Sequence, residues 1–362
     1  MTKYETLAGA LTEQITRNLQ NGISKLPTES QLCAQYNVSR QTVRAALTLL
    51  GKQGIITSKQ GSGSYATGLS LDSDRNIIPI LISSQQEYIY PQLLSEIRLA
   101  LAEQGYKLQI YPTDNNTSVE RAHLESLLDN PPCAVIVEGC KSTLPNPNLD
   151  LYEKLRENGT FILFLHNYYP AMQDCIYVKD DNYYGGCLLA EHLISLGHTQ
   201  IAGLFKIDDS QGPERYHGVA ARLRDLGHPI SDTHIGWYSS PDIAALEARQ
   251  DTRFLTDFIQ ERLFGCSAVV CYNDEVAYWL IKELSYANIH VPQDLSVVCF
   301  DNSYLSELSG VRITTLTHAP HEMSECVAEC IVGHLQGLPV VSHTIPWRLV
   351  RKESDAAYHL NP

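Results

Sequence analysis

The chain has 362 residues, 44% of them hydrophobic and 19% charged, with a formal net charge of −14. That balance supports an ordinary folded core and argues against a disordered or collagen-like chain, while no run approaches the roughly 18 apolar residues of a membrane span. Charged residues interrupt every apolar stretch of MTKYETLAGALTEQITRNL, so no secretory segment is expected and a cytoplasmic protein is.

Residues 1–68 hold seven Lys/Arg against three Glu, a charge of +4 that leaves −18 for the remainder. Such asymmetry points to a nucleic-acid module carried by an acidic partner domain, with phosphate contact confined to the basic end. Leu7, Leu11, Ile15 and Leu19 recur every four residues and predict a helix over 4–21. Thr28 with Gln31 forms a capping-box pattern for a second helix that buries Leu32 and Tyr36. Asn37 suits the turn, Val38 packs inward, and Ser39 caps a third helix whose inner face is Val43, Ala46, Leu47 and Leu50. Arg40, Gln41, Thr42 and Arg44 are left near its N-terminal end, away from that face. Arginine there pairs with guanine and glutamine with adenine when such a helix enters a major groove. GIITSKQGSGSY then reads as two short strands around a Gly61-Ser62-Gly63 tip, with Lys59 beside it. A charged helix face alone is ordinarily just solvated, and a Gly-rich turn just a hairpin. Their order, on the one basic stretch of the chain, makes the helix-turn-helix and wing a DNA reader.

The run LPTESQLCAQYNVSRQTVRAALTLL, followed by KQGSGSY, resembles the DNA-binding domain of GntR-family regulators over nearly all of residues 4–67. Thr28 and Ser64 stand where Ser and Thr are commoner, and neither departure threatens the fold. The resemblance implies a homodimer on a palindromic operator. It also implies DNA contacts from Glu29, Ser39, Arg40, Gln41, Thr42 and Arg44, and from Lys59, Gly61 and Gly63 of the wing.

The reader is therefore placed at 1–67, a polar linker at 68–76 and a second domain at 77–362. From Ile77 onward, short apolar runs (IIPILIS, YKLQIYP, CAVIVEG, TFILFLHN, IAGLFKI, SAVVCYN and LSVVCFD) alternate with helix-like stretches such as PQLLSEIRLALAEQG and NYYGGCLLAEHLISLG. That alternation predicts an α/β domain of parallel sheets with helices on both faces, long enough for two subdomains. Ligands of open parallel sheets bind beyond the carboxyl ends of the strands. There the sequence sets Ser83, Glu138, Lys141, His166, Asp208, Asp209, Gln211, Asn273 and Asp301. Carboxylates, amides and cations of this kind suit a polyhydroxylated ligand, with Tyr88, Tyr90 and Trp279 offering flat apolar faces. Polar residues also end strands in most α/β folds because loops are wet, so the set carries more weight than any member. Ten cysteines occur singly in apolar segments, and neither disulfides nor a metal site is expected; Cys326 and Cys330 lie at ordinary helix-packing spacing.

Residues 77–352 resemble the effector domain of LacI/GalR-family repressors, a periplasmic-binding-protein-like fold, in AEHLISLGH, GPERYHGV, AVVCYNDEVAYWLIKEL, VPQDLSVVCFDNS and ITTLTH. The fusion of such a sensor to a GntR-type reader, with GLFKIDDSQG and IVEG, resembles the L-arabinose-responsive repressors. By position, the resemblance implies effector contacts from Arg215, Asn273 and Asp301, joined by Tyr88, Glu138, Lys141, His166, Asp180 and Gln211. CFDN stands where GYDD is typical, and His166 occupies a position that varies among sugar sensors; both bear on which sugar is sensed. The resemblance further implies repression relieved by sugar, through a cleft whose closure respaces the two readers. A sensor of another pentose, a hexose or a purine, or an activator, remains an alternative of the same architecture. No cofactor is implied. G-x-S-x-G, H-E-x-x-H and Walker A motifs are lacking, which opposes an enzyme. The basic reader and the missing secretory segment oppose a transport binding protein.

Overall fold

The computed structural model describes the chain apart from residues 1–2, 21–24, 53–54, 60–62, 67–75, 86–87, 173, 309 and 359–362. Its internal contacts divide it into two units, Met1–Ile77 and Ile78–Pro362. The expected linker, apart from Asn76, lies outside the described residues.

The first unit comprises α1 (Lys3–Gln20), α2 (Glu29–Tyr36), α3 (Arg40–Lys52) and the antiparallel pair β1 (Ile56–Lys59) and β2 (Gly63–Ala66). Thr28 and Gln31 make the reciprocal capping box, and Asn37 ends α2 in the left-handed conformation at φ 51°. Leu7, Leu11 and Ile15 of α1 pack with Leu32, Val43, Ala46 and Leu50 into one core, closed by Ile55 and Ile56. The helical period has thus brought the predicted apolar faces together. Tyr36 is only half-buried, because its hydroxyl donates to Gln14 Oε1 at 2.8 Å.

The second unit contains two six-stranded sheets. The first takes β3 (Ile77–Ile82), β4 (Lys107–Pro112), β5 (Ala134–Val137), β6 (Phe161–Leu165), β7 (Ile176–Asp180) and β13 (His343–Ile345), in the order β13-β7-β6-β5-β3-β4. Around it lie α4 (Tyr90–Glu103), α5 (Thr117–Asp129), α6 (Leu149–Glu157) and α13 (Glu322–Leu335). The second sheet takes β8 (Ile201–Lys206), β9 (Ile235–Tyr238), β10 (Ala268–Cys271), β11 (Ser296–Cys299), β12 (Thr314–Thr317) and β14 (Arg348–Val350), in the order β14-β12-β11-β10-β8-β9. Its helices are α7 (Asn182–Ser195), α8 (Gln211–Asp225), α9 (Ser240–Arg249), α10 (Arg253–Arg262), α11 (Asp274–Tyr286) and the short α12 (Leu305–Leu308). β8, β10, β11 and β12 run parallel in register, for example Ala268 opposite Ile201, and β14 is antiparallel to β12.

AVIV, AVVC and SVVC are buried at every position, as expected for strands covered by helices on both faces. β7, β9, β12, β13 and β14 lie outside the predicted apolar runs; β12, TTLT, is an interior strand buried at its first three positions but is mostly threonine. β9, β13 and β14 are edge strands and β7 carries Lys179 and Asp180, so an apolar run is not required of them.

The chain crosses between the two sheets three times: after Asp180, between Thr317 and α13, and between Ile345 and Arg348. α7 and α8 pack closely because glycines face each other across the contact. A Cβ on Gly186 would strike the Arg215 carbonyl, and one on Gly218 the Tyr183 carbonyl.

Candidate functional site

In the first unit the predicted DNA-contacting side chains gather around the start of α3. Arg40, Gln41 and Arg44 are exposed. Ser39 Oγ accepts the Thr42 N–H at 3.2 Å and lies 2.9 Å from the Thr42 hydroxyl, so the helix start is pinned by its own polar residues. Arg44 Nε lies 3.1 and 3.0 Å from the two carboxylate oxygens of Glu29 on α2. That contact ties the first helix of the motif to the second. Gly63 opens β2 at φ 112°, a conformation a larger residue resists. The Lys59 side chain and Gly61 lie outside the described residues.

In the second unit the carboxyl ends of both sets of strands open onto one cleft of about 1180 Å³. Tyr88, Glu138, His166, Asp180, Gln211, Asn273 and Asp301 line it, whereas Lys141, Arg215 and Trp279 do not. Trp279 packs on the second sheet's core beside Tyr278. The expected Tyr88 and Tyr90 do line the cleft, and so does Trp347, which sequence reasoning missed because it sits in the third crossing, outside any apolar run. The cleft lies at the two topological switch points, where β3 has β4 and β5 on either side and β8 has β9 and β10. At the first, Glu138 accepts the Ser83 N–H at 2.7 Å; at the second, Asp209 accepts the Tyr272 hydroxyl at 2.8 Å.

Arg215 stands behind the wall, 1% exposed, and each guanidinium nitrogen is directed. Nε donates to Asn182 Oδ1 at 2.9 Å, Nη1 to the Tyr272 carbonyl at 2.6 Å, and Nη2 to Gln211 Oε1 and Asp301 Oδ1, both at 3.0 Å. Its charge centre also lies 4.3 Å from the Phe300 ring and 4.7 Å from that of Tyr272. Burial works against this cation, but Asp301 outweighs it and keeps its pKa above the usual value. Arg215 thereby fixes two side chains of the wall. Opposite, the Tyr88 hydroxyl reaches across the cleft to Asp274 Oδ1 at 2.5 Å and Asp301 Oδ2 at 2.7 Å. One phenolic proton serves two carboxyls there, and burial together with Asp301 pushes the Asp274 carboxyl up to about 7.

Asp180 joins the wall to the crossings. Its Oδ2 lies 3.1 Å from His166 Nδ1 and its Oδ1 2.7 Å from His318 Nε2. The other nitrogen of His318 lies 3.0 Å from the Pro346 carbonyl, and its ring stacks on Trp347 with centroids 3.7 Å apart. Burial alone would raise the Asp180 carboxyl, yet the two histidines outweigh it and hold it well below the usual range. Burial would lower His166, and Asp180 reverses that, bringing it to about 9. His166 Nε2 is buried and has no hydrogen-bond partner among the described residues. Tyr88, Lys141, His166 and Asp301 all take positive φ, at 57°, 45°, 63° and 91°. Such backbone strain, about 1–3 kcal/mol each, gathers where a site is held in shape by its surroundings.

Residues 3–65 match bacterial regulatory proteins of the gntR family, and residues 190–354 match a periplasmic binding protein-like domain. The chain is 33% identical over 341 residues to the arabinose metabolism transcriptional repressor of Halalkalibacterium halodurans, covering 92% of this chain and 90% of that one. The chain belongs to the gntR family of bacterial transcriptional regulators. This regulator is also 31% identical to the arabinose metabolism transcriptional repressor of Geobacillus stearothermophilus, with 93% and 92% coverage. Its fold is similar to the CelR–cellobiose complex, at 18% identity and a TM-score of 0.67 over 91% of this chain and all of that one. It is also similar to a periplasmic binding protein/LacI transcriptional regulator from Alkaliphilus metalliredigens in complex with D-xylulofuranose. There the identity is 20% and the TM-score 0.66, over 77% of this chain and 99% of that one. These relatives are transcriptional regulators and not enzymes. The gntR-family regulator thus joins a DNA-binding helix-turn-helix to a small-molecule effector domain.

Proposed function

We propose that this regulator is a cytoplasmic, homodimeric repressor whose hold on a palindromic operator weakens when L-arabinose enters the cleft. The observation that carries the sensing half is the buried, unpartnered Nε2 of His166, set among Glu138, Asp180 and Asp301 on the cleft wall. An unsatisfied buried donor is costly, and a sugar hydroxyl would satisfy it. Arabinose is chosen because the two relatives above, 33% and 31% identical to this chain, are named for arabinose metabolism. In this reading Tyr88, Glu138, His166, Asp180, Gln211, Asn273 and Asp301 meet the sugar. Arg215 acts by holding Asp301 and Gln211, and Lys141 enters through the strand-end position that it shares with the others. Arg40, Gln41, Thr42 and Arg44 read the major groove, Glu29 and Ser39 hold them, and Lys59, Gly61 and Gly63 serve the wing. Residues 68–76 link the reader to the sensor at 77–362.

Closure of the cleft respaces the two readers of a dimer, and half-sites tolerate only certain spacings. Operator binding at fixed salt, with and without L-arabinose, tests this. Weaker binding with the sugar supports the reading, whereas unchanged affinity removes arabinose and tighter binding replaces repressor with sugar-dependent binder. A thermal-shift panel of L-arabinose, other pentoses, hexoses and purines identifies the ligand, since a compound that binds only the folded state raises its melting temperature.

A further inference from the structure

We infer that the cleft admits its sugar only in the uncharged form and rejects phosphorylated and carboxylated derivatives. The inference rests on the sugar-sensing reading and concerns the same site. Among the described residues, nine carboxylates line the cleft, Glu138, Asp180, Asp209 and Asp301 among them, against a single Lys or Arg, Lys206. Glu275 is pushed up to about 8 by burial and by Glu247, and His166 and His318 are charged; the wall stays negative after all three are counted. A like charge brought into such a site costs several kcal/mol.

The second observation concerns donors. Phosphate sites in α/β folds are built from backbone N–H groups at strand-to-helix turns. Here the protein's own carboxylates already occupy those groups. Glu138 accepts the Ser83 N–H at 2.7 Å, Asp209 that of Gln211 at 3.2 Å, Asp208 that of Ser240 at 3.1 Å and Asp274 that of Ser303 at 2.5 Å. The one arginine nearby, Arg215, directs every guanidinium nitrogen to protein acceptors. A phosphate or carboxylate would therefore meet repulsion with these four turn donors already taken, and the single free N–H of the His166 imidazolium does not make the cradle of donors that an anion needs. The signal is then the sugar before a kinase or a dehydrogenase has acted on it, so the regulator responds to supply and not to a phosphorylated intermediate.

Calorimetric binding to the full chain tests this with L-arabinose, D-xylose and D-ribose beside L-arabinonate, D-xylonate and D-ribose 5-phosphate. Whichever neutral sugar binds is expected to lose at least about a hundredfold in affinity in its anionic form. Binding of D-ribose or D-xylose in place of L-arabinose, with rejection of its anion, would sink the arabinose reading and leave the charge selection standing. Comparable affinity for a neutral sugar and its anion, or binding of an anion alone, would overturn the selection.

Discussion

His318 Nε2 lies 2.7 Å from Asp180 Oδ1, so a residue of the second crossing is joined to a residue of the first. Carbonyl oxygens and ionised carboxylates only accept hydrogen bonds. His318, set between Asp180 and the Pro346 carbonyl of the third crossing, therefore needs protons on both ring nitrogens to satisfy both neighbours. Hydrogen-bond accounting and electrostatics agree: burial opposes the charge, but Asp180 and the Pro346 carbonyl raise the His318 pKa. All three crossings meet at one imidazolium.

His318→Gln should lower the unfolding free energy of the effector unit by about 1–3 kcal/mol, measured by urea denaturation. A raised folded-state pKa means that the contribution is complete below the ordinary histidine pKa and is lost as pH rises through the raised value. The difference between wild type and variant should accordingly shrink on the alkaline side. A variant as stable as wild type at acid pH would show that His318 does not hold the crossings together.

His166 gives a pH dependence to ligand binding. While it is charged, Nδ1 donates to Asp180 and Nε2 is free to donate to a sugar oxygen. Above about 9 the proton retained at Nδ1 leaves Nε2 an acceptor. L-arabinose affinity should be level on the acid side of that value and fall on its alkaline side, and His166→Asn should abolish the inflection. An inflection that survives the substitution belongs to another group.

Arg215→Met should destabilise the effector unit by about 3–5 kcal/mol, because Asp301 would keep a buried charge without its partner. Arg215→Lys should recover only part of this, since an ammonium cannot reach Asn182, Tyr272 and Asp301 in three fixed directions. Denaturation curves of both variants check the order. Equal stability of the lysine variant and wild type would reduce Arg215 to a point charge.

Glu29→Ala separates positioning from charge in the reader. Removing an anion beside DNA should tighten binding if only phosphate attraction matters. The contacts of Glu29 with Arg44, at 3.0 and 3.1 Å, point the other way: the arginine loses its anchor, and operator affinity should fall severalfold with the salt slope little changed. Fluorescence anisotropy across a salt series distinguishes the two, and tighter binding would reject the positioning role.

Local chemistry made the reader legible. Thr28 and Gln31, Asn37 and Ser39 act within a few residues of themselves, and each performs the capping or turn role that its neighbours require. The strand-end rule was nearly as direct. Seven of the nine residues set at strand ends (Ser83, Glu138, His166, Asp209, Gln211, Asn273 and Asp301) line the cleft, because a parallel strand delivers the residues after its apolar run to a known edge of the sheet. Arg215, expected from the resemblance and not from this rule, stands inside α8 behind the edge, which is why it is support rather than wall. Trp347 and His318 escaped because they lie in chain crossings, where no period marks them.

The sequence by itself determined the two-part organisation, the charge division between the parts, the capped helices of the reader and the strand ends that would meet a ligand. Each of those follows from residues close together in the chain. Only the tertiary structure decided that Asp180, His318 and Pro346 meet, that Tyr88 reaches Asp274 and Asp301 from the opposite side of the cleft, and that His166 keeps one buried nitrogen without a partner among the described residues. Those contacts join segments 28 to 213 residues apart or depend on the surroundings of a single atom. They are set by how three chain crossings and two sheets pack, which local propensity does not encode.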